Sequence, residues 1–535
     1  MPWVGHRFLV FASVSVEASA CHLSRQVLQP RLCAAFPSHP NPVYYARMFS
    51  SSLYVVNSYE DWRSRWGRLF GSPDIAFSSL AEDVLAYLDR LGIRTVILES
   101  EYLDEDYAAA YSQFYSCFFR PPPKTCSRHL FFTADFKEPD DVRHPEISRS
   151  FCGFVTIWPT SPPVIGRSAL PFPDGVDVKI AAPYYVHVSG CELTLENSAM
   201  FASKDHGVAV CASISTWLAT GLMHRSFDLR SCSSTEITIL ATGEDPKWGR
   251  PLPQTRGLDP EQIIRALTYL DYSPHVYYSS DDNFDWPGYL YGYISSGIPV
   301  LVVCDVTAPS GGTYRHIVVG VGLRAKPREE LDRQGSIGTS FTKTLDSVVI
   351  HDDRWGIYGS LTPKPGQRTS ATLTYNSGVK MTTDITGLIV PLPKGIVLVS
   401  EYAYRLGVTT LRAFMKKQNP QEDYNGPFRT FLKPSVDLKR ESWGWPEDLQ
   451  RVAARLRRIP MPRWVWVTES YPKETVALTA ADQPLARAFF DPTALRFDKE
   501  RLLLMGHVGG TVIAPPASQP GVWAAQEDQP APQNA

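Results

Sequence analysis

The sequence has no Cys-x-x-Cys pair, no long apolar run and no excess of charge of either sign. Its nine cysteines are odd in number and stand singly, which argues against a disulfide framework and against a thiolate zinc site. They read as the reduced core thiols of a cytoplasmic protein. Nothing approaches the about 18 consecutive apolar residues that a membrane-spanning helix needs, so no integral membrane segment is expected. With 53 basic against 55 acidic residues the net charge is -2, and no global field draws in nucleic acid. No internal repeat is visible.

What the chain does have is core material. Its 535 residues, 44% hydrophobic and 12% aromatic, suffice for about two to four globular domains. Residues 1–47 read as an extension, either disordered or targeting. Arg7 and the apolar run Phe8–Val16 ahead of Cys21 imitate a signal peptide, and Glu17 speaks against one. A transit peptide and a true start at Met48 are the alternatives.

The remainder predicts an α+β fold. Residues 48–168 read as a small N-terminal α/β region. There Ser79 and Glu82 form a capping box, Ile93–Leu98 is a buried strand, an aromatic-rich helix runs up to Pro121, and HLFFTADF and FCGFVTIWP are strands. Glu99, Glu101, Asp104, Glu105 and Asp106 could ligate a hard cation, but a solvated loop and helix start favoured by the helix dipole is the preferred reading.

In residues 169–381 helices come first and strands later. Asp259, Pro260 and Gln262 cap one helix, and another ends at Gly297 before the apolar strand IPVLVVCDV. HIVVGVG and LDSVVIHDD are the next strands, separated by a polar insertion from Arg324 to Leu345. Residues 382–515 read as a C-terminal α+β region and 516–535 as a disordered tail. The arginines 451, 455, 457, 458 and 463 could bind an anionic partner, but a solvated helix face is the preferred reading, because Leu449, Val452, Ala453 and Leu456 take the opposite face.

One constellation specifies a chemistry. A cysteine is a useful nucleophile only as the thiolate, which a helix N-terminus and a neighbouring imidazolium favour. In GVAVCASISTWLATG, Gly207 allows a tight turn, Cys211 stands at the helix mouth, and Ile214, Trp217, Leu218 and Leu222 form a buried stripe behind it. His316 stands at the leading edge of the apolar strand Ile317–Val321, facing solvent. Asp352 and Asp353 follow the strand Val348–Ile350, and either could orient the imidazole. Taken singly, each has a plainer role as a core thiol, a surface histidine or the start of a turn. Their order and placement together point to a Cys/His/Asp site.

GVAVCASISTW, HIVVGVG and IHDDRWG resemble the three active-site blocks of papain-like cysteine peptidases, in particular the bacterial branch related to bacteriocin-processing peptidases. YLYGYISSGIPVLVV, just before the histidine block, resembles that branch too. The likeness spans roughly 150 to 180 of the 535 residues. It implies a papain-like core at 169–381 and a hydrolase that cleaves a peptide or isopeptide bond in a peptide or protein substrate. It also implies Cys211 as nucleophile, His316 as general base and acid, and Asp352 as the orienting acid. Aligning DRWG on the NSWG block of papain itself would select Asp353 instead.

The pattern departs from the family at one point. The glutamine that usually stands about six residues before the cysteine to complete the oxyanion hole is absent between Phe201 and Val210. Lys204, Asp205 or His206 would have to serve, and Asp205 as an anion would repel a developing oxyanion. A missing donor costs about 2 to 4 kcal/mol of transition-state stabilisation. Acyl transfer of the transglutaminase type and a non-catalytic papain-fold binding protein are the alternatives. No cofactor and no metal site are expected. A set built from His316, His351 and Asp352 is disfavoured because side chains 351 and 352 alternate on a strand.

Overall fold

Alternating apolar residues between Leu53 and Phe201 build the first of three antiparallel sheets. It comprises β1 (Leu53–Val56), β2 (Thr95–Tyr102), β3 (Cys126–Phe132), β4 (Phe151–Trp158), β5 (Val164–Ile165), β6 (Ser168–Pro171), β8 (Ala182–Val188) and β9 (Cys191–Phe201), with β7 (Val178–Lys179) given to the second sheet. The order is β1-β2-β3-β4-β6-β9-β8, with β5 on β4. Strand β8 shows the period of two plainly: Ala182, Tyr184, Val186 and Val188 are buried and the residues between them exposed.

The computed structural model describes residues 53–70, 75–205, 208, 210–243, 252, 257–308, 311–334, 340–418, 420–421, 424, 426–475, 482–493, 502–507 and 512–513. The expected extension at 1–47 and tail at 516–535 lie outside the described residues, as do Gly207 and His206.

The chain mixes helix and strand, and its sheets are antiparallel, as an α+β fold requires. The N-terminal region differs from the expected α/β unit, because β1 pairs antiparallel with β2. The single-helix crossover that makes neighbouring strands parallel is replaced by two helices, Tyr59–Phe70 and Ile75–Leu88. The second begins at Ile75, so Ser79 and Glu82 lie inside it and do not cap it. The first sheet also runs on past residue 168 to Phe201.

The second sheet closes on itself. Its strands are β10 (His275–Tyr278), β11 (Val300–Thr307), β12 (Thr313–Ala325), β13 (Leu345–Asp352), β14 (Gly356–Pro363), β15 (Ser370–Thr374) and β16 (Lys380–Val390). β16 pairs with both β11 and β15, so β11 to β16 form an antiparallel barrel, with β10 on β16 and β7 on β12. Residue 381 therefore falls inside a barrel strand. Two of the expected helices are capped as read: Asp259 and Gln262 form a capping box on Pro260–Tyr269, and Gly297 takes a left-handed φ of 73° after Trp286–Ile294. Among the described residues the polar insertion after β12 holds a helix, Arg328–Gln334, and Leu331 and Phe341 pack with Tyr471.

The third sheet is ordered β17 (Phe428–Pro434), β18 (Trp464–Ser470), β19 (Ala486–Phe490), β20 (Leu502–His507) and β21 (Val512–Ile513). Leu449, Val452 and Leu456 pack against Val465, Val467 and Phe489 of this sheet, while Arg451, Arg455, Arg458 and Arg463 are exposed. Arg457 instead lies over the Trp443 ring, 4.0 Å from its centroid. Leu432 N–H donates to Ser296 Oγ at 2.8 Å and ties this sheet to the helix Trp286–Ile294.

One histidine of the first sheet carries a pH signature. His129 Nδ1 accepts from Trp62 Nε1 at 3.0 Å, and burial pushes its pKa down to about 3. The unfolded histidine takes up a proton near 6.5 and the folded one does not, so the native state is favoured above pH 6.5. That advantage is lost as pH falls through the window, at up to about 1.4 kcal/mol per pH unit. Urea unfolding between about pH 4 and 6.5 should show a slope that His129→Phe reduces by about one proton. An unchanged slope would mean that the buried ring is not the source.

Candidate active site

Cys211 is the first residue of the helix Cys211–Phe227, whose first intrahelical bond runs from Ile214 N–H to the Val210 carbonyl at 3.0 Å. The backbone N–H groups before Ile214 therefore have no intrahelical acceptor, and the positive end of the helix dipole lies at the sulfur. The helix is not the amphipathic one expected: every residue from Ala212 to Met223 is buried. Small residues allow this, and Ser213, Thr216 and Thr220 satisfy their hydroxyls on Thr238 or on carbonyls one turn back. Ser215 Oγ donates to the Ile317 carbonyl of β12 at 3.3 Å. That bond, one helical turn beyond Cys211 and one residue beyond His316, fixes the thiol opposite the imidazole.

His316 lies inside β12, paired with Cys304 of β11, and is only 4% exposed. It is thus buried and does not face solvent as expected, because β12 starts three residues earlier, at Thr313. A register shift between Ile350 and Asp352 ends the pairing of β13 with β14 irregularly, and both acids turn toward the ring. His316 Nε2 lies 2.8 Å from Asp352 Oδ1 and 3.8 Å from Asp353 Oδ1. Asp352 therefore makes the hydrogen bond that the sequence left open between the two.

Asp352 also starts the turn. Its Oδ1 accepts from Arg354 N–H at 2.9 Å and Trp355 N–H at 3.1 Å, and its Oδ2 accepts from Tyr375 OH at 2.6 Å. The plain role and the chemical one coincide in one carboxylate. Gly356, at the end of the same turn, has a steric reason: a Cβ there would lie 2.0 Å from Asp83 Oδ2. The Asp83 carboxylate reaches in from the helix Ile75–Leu88 and accepts from Ile357 N–H at 3.1 Å and Ser377 N–H at 2.9 Å. Burial pushes its pKa up to about 6.

Asp353 is placed differently. It is 1% exposed, and neither carboxylate oxygen meets a well-formed hydrogen bond, although the Cys211 thiol acts on it as a donor. Burial pushes its pKa up to about 6, against the pull of His316. Cys211 Sγ, a ring nitrogen of His316 and a carboxylate oxygen of Asp353 lie within 4.8 Å of one another, the one such group of potential metal ligands among the described residues. His351 faces away: its Nδ1 accepts from Tyr358 N–H at 3.3 Å and its ring packs against Phe201 and Tyr358.

Burial by itself would push the imidazolium of His316 down, but Asp352 and Cys211 outweigh it and the ring titrates well above the ordinary histidine value. Burial also pushes the Cys211 thiol up, with the Asp353 charge adding to it and His316 and Lys204 opposing. His316 and Cys211 thus compete for one proton. The histidine's claim rests on a 2.8 Å bond and the cysteine's on burial and one neighbouring charge.

Of the oxyanion candidates, Lys204 donates its backbone N–H to the Asp353 carbonyl at 3.4 Å, and its charge acts on Cys211 and Asp353. Asp205 is buried and accepts a short hydrogen bond from Tyr115 OH. The acidic stretch upstream is not solvated throughout: Asp104 and Asp106 are buried. Asp104 caps its helix and accepts from Trp158 Nε1, while Asp106 pairs with Arg167 at 2.7 Å and accepts from Trp217 Nε1 at 3.1 Å. Asp106 thereby braces the Cys211 helix against the first sheet.

The sequence reading missed Tyr375, Tyr314 and Trp355. Tyr314 shares a strand face with His316, a relation the period of two could have revealed. Its OH accepts from Trp355 Nε1 at 2.6 Å, and the Arg354 guanidinium lies over its ring at 4.5 Å. Tyr375 reaches Asp352 across the barrel and leaves no local signal.

The two acids should behave oppositely on substitution. Asp352→Ala strands three donors and the imidazolium, and should lower unfolding free energy by about 3 to 5 kcal/mol. Asp353→Asn removes a buried charge that meets no well-formed hydrogen bond and should leave stability equal or higher. Urea denaturation of both variants checks this; a larger loss for Asp353→Asn would reverse the assignment.

No protein-family model matches the chain, and no curated protein matches it either.

Proposed function

We propose that the chain is a cysteine hydrolase with a papain-like core that cleaves a peptide or isopeptide bond. The observation that carries this reading is the thiol at a helix N-terminus beside an imidazole whose far nitrogen is held by a buried carboxylate. With Asp352 on Nε2, His316 is left with Nδ1 to serve the sulfur. The closed antiparallel barrel that carries His316 and Asp352, packed against the helix that carries Cys211, supports the papain-like assignment.

In this mechanism Cys211 Sγ attacks the carbonyl carbon while its proton passes to His316. The new carbonyl oxyanion is met by the N–H groups of the first helical turn, which have no intrahelical acceptor. His316 returns the proton to the leaving amine as the C–N bond breaks, leaving a thioester. Water, deprotonated by His316, attacks that thioester, and the thiol is regenerated with release of the acid. Asp352 holds the ring in register and stabilises its cation throughout. Among the described residues seven cysteines are free, and no helix is long and apolar enough to cross a membrane. Free thiols suit a reducing compartment such as the cytoplasm.

Labelling with iodoacetamide near neutral pH tests the site, because the chain carries its own control. Cys117 is exposed and Cys211 only partly so. Exposure alone favours Cys117, whereas activation by the histidine favours Cys211. Cys211 should react faster, and His316→Ala should slow it about tenfold or more with Cys117 unchanged. Cys211 labelling that trails Cys117 and ignores His316→Ala would sink the hydrolase reading.

A further inference from the structure

Asp353 is the buried group that the proposed chemistry leaves unused. Buried carboxylates in folded proteins are paired, hydrogen-bonded or bound to metal. This one meets no well-formed hydrogen bond at either oxygen, and its closest cationic neighbour, His316, already gives Nε2 to Asp352. The Lys204 side chain acts on it through space without hydrogen-bonding it. One of its oxygens lies within 4.8 Å of the Cys211 sulfur and of a His316 ring nitrogen.

We propose that Cys211, His316 and Asp353 together bind one thiophilic divalent cation of the zinc class. The donors are one sulfur, one imidazole nitrogen and one carboxylate oxygen, all of which zinc accepts at about 2.0 to 2.3 Å. Magnesium and calcium, which take oxygen donors, do not suit the sulfur. Ligand atoms around a tetrahedral ion with such bonds stand about 3.3 to 3.8 Å apart. The three ligand atoms fall within 4.8 Å of one another, and Asp353 Oδ1, now 3.8 Å from Nε2, has to swing toward Nδ1 to complete the site. The Cys211 thiol is the donor that acts on Asp353, and its proton is the one the metal displaces.

The surroundings are those of a metal-bound histidine. Ligating imidazoles donate their second ring N–H to a carboxylate, which orients the ring and raises its basicity. The Asp352 bond to Nε2 already provides this, leaving Nδ1 for the ion. Cys211 is partly exposed, so the fourth coordination position opens toward solvent, where a water can sit. On binding, the thiol proton is released to solvent, and thiolate and carboxylate together offset the 2+ charge. Binding stands by itself; its consequence, a nucleophile capped by metal, rests on the reading of Cys211 as the nucleophile.

The test uses the full chain, freed of metal with a chelator and titrated with Zn2+ against a chromophoric zinc indicator. Iodoacetamide labelling of Cys211, with Cys117 as internal reference, runs in parallel. The expected result is one zinc per chain, suppression of Cys211 labelling about tenfold or more at saturation, and recovery on chelation. Asp353→Asn should weaken zinc binding about tenfold or more, yet label at Cys211 no more slowly than wild type without metal, which shows that its pocket is folded. Cys211→Ala should remove the stoichiometric site.

Zinc that fails to slow Cys211, or that protects it equally in Asp353→Asn, overturns the proposal. So does protection by millimolar Mg2+. The two readings fail separately: slow, His316-independent labelling of the metal-free chain counts against the hydrolase, and unprotected labelling in zinc counts against the metal site.

Discussion

The buried carboxylate of Asp352 is the point on which the site depends. It receives two backbone N–H groups from its own turn, a tyrosine hydroxyl from across the barrel and the Nε2 nitrogen of His316. Each donor comes from a different constraint: local turn geometry, barrel closure and strand pairing. A charge in so dry a place persists only because all of these converge. Ring orientation at His316 is therefore a by-product of folding.

Around that fixed point the chain sets a second carboxylate with opposite properties. Asp352 is saturated with donors and lies below the usual carboxylate range despite its burial, through His316 and its hydrogen bonds. Its sequence neighbour is equally buried, poorly satisfied and shifted the other way. The contrast arises where β13 ends: Asp352 is its last residue and Asp353 the first of the turn, so the two side chains do not alternate. Two adjacent acids on a regular strand would have faced apart.

How much of this could be read beforehand depended on the range of the interactions. Asp259 and Gln262 announced their helix because a capping box is complete within four residues. The strands around His316 and Asp352 announced themselves through continuous apolar runs. The burial of Asp104 and Asp106 was illegible, since Arg167 and Trp217, which make it tolerable, lie far along the chain. The same holds for Tyr375 beneath Asp352. The direction of β1 relative to β2 was likewise hidden, because it depends on how two intervening helices return the chain, not on any residue in either strand.

Asp83 and Gly356 bear on how such a protein could be divided. The helix Ile75–Leu88 inserts a carboxylate into the backbone of the turn that carries Asp352, and glycine at 356 leaves just enough room for it. Asp106 holds the helix behind Cys211 through a side chain instead, the indole N–H of Trp217. The helices that carry Asp83 and Asp106 are accordingly part of the scaffold of the Cys211, His316 and Asp352 cluster. A chain shortened to its Cys, His and Asp blocks would keep the three side chains and lose the braces that hold them in place. In inheritance as in engineering, the upstream sheet and the barrel would have to travel as one piece.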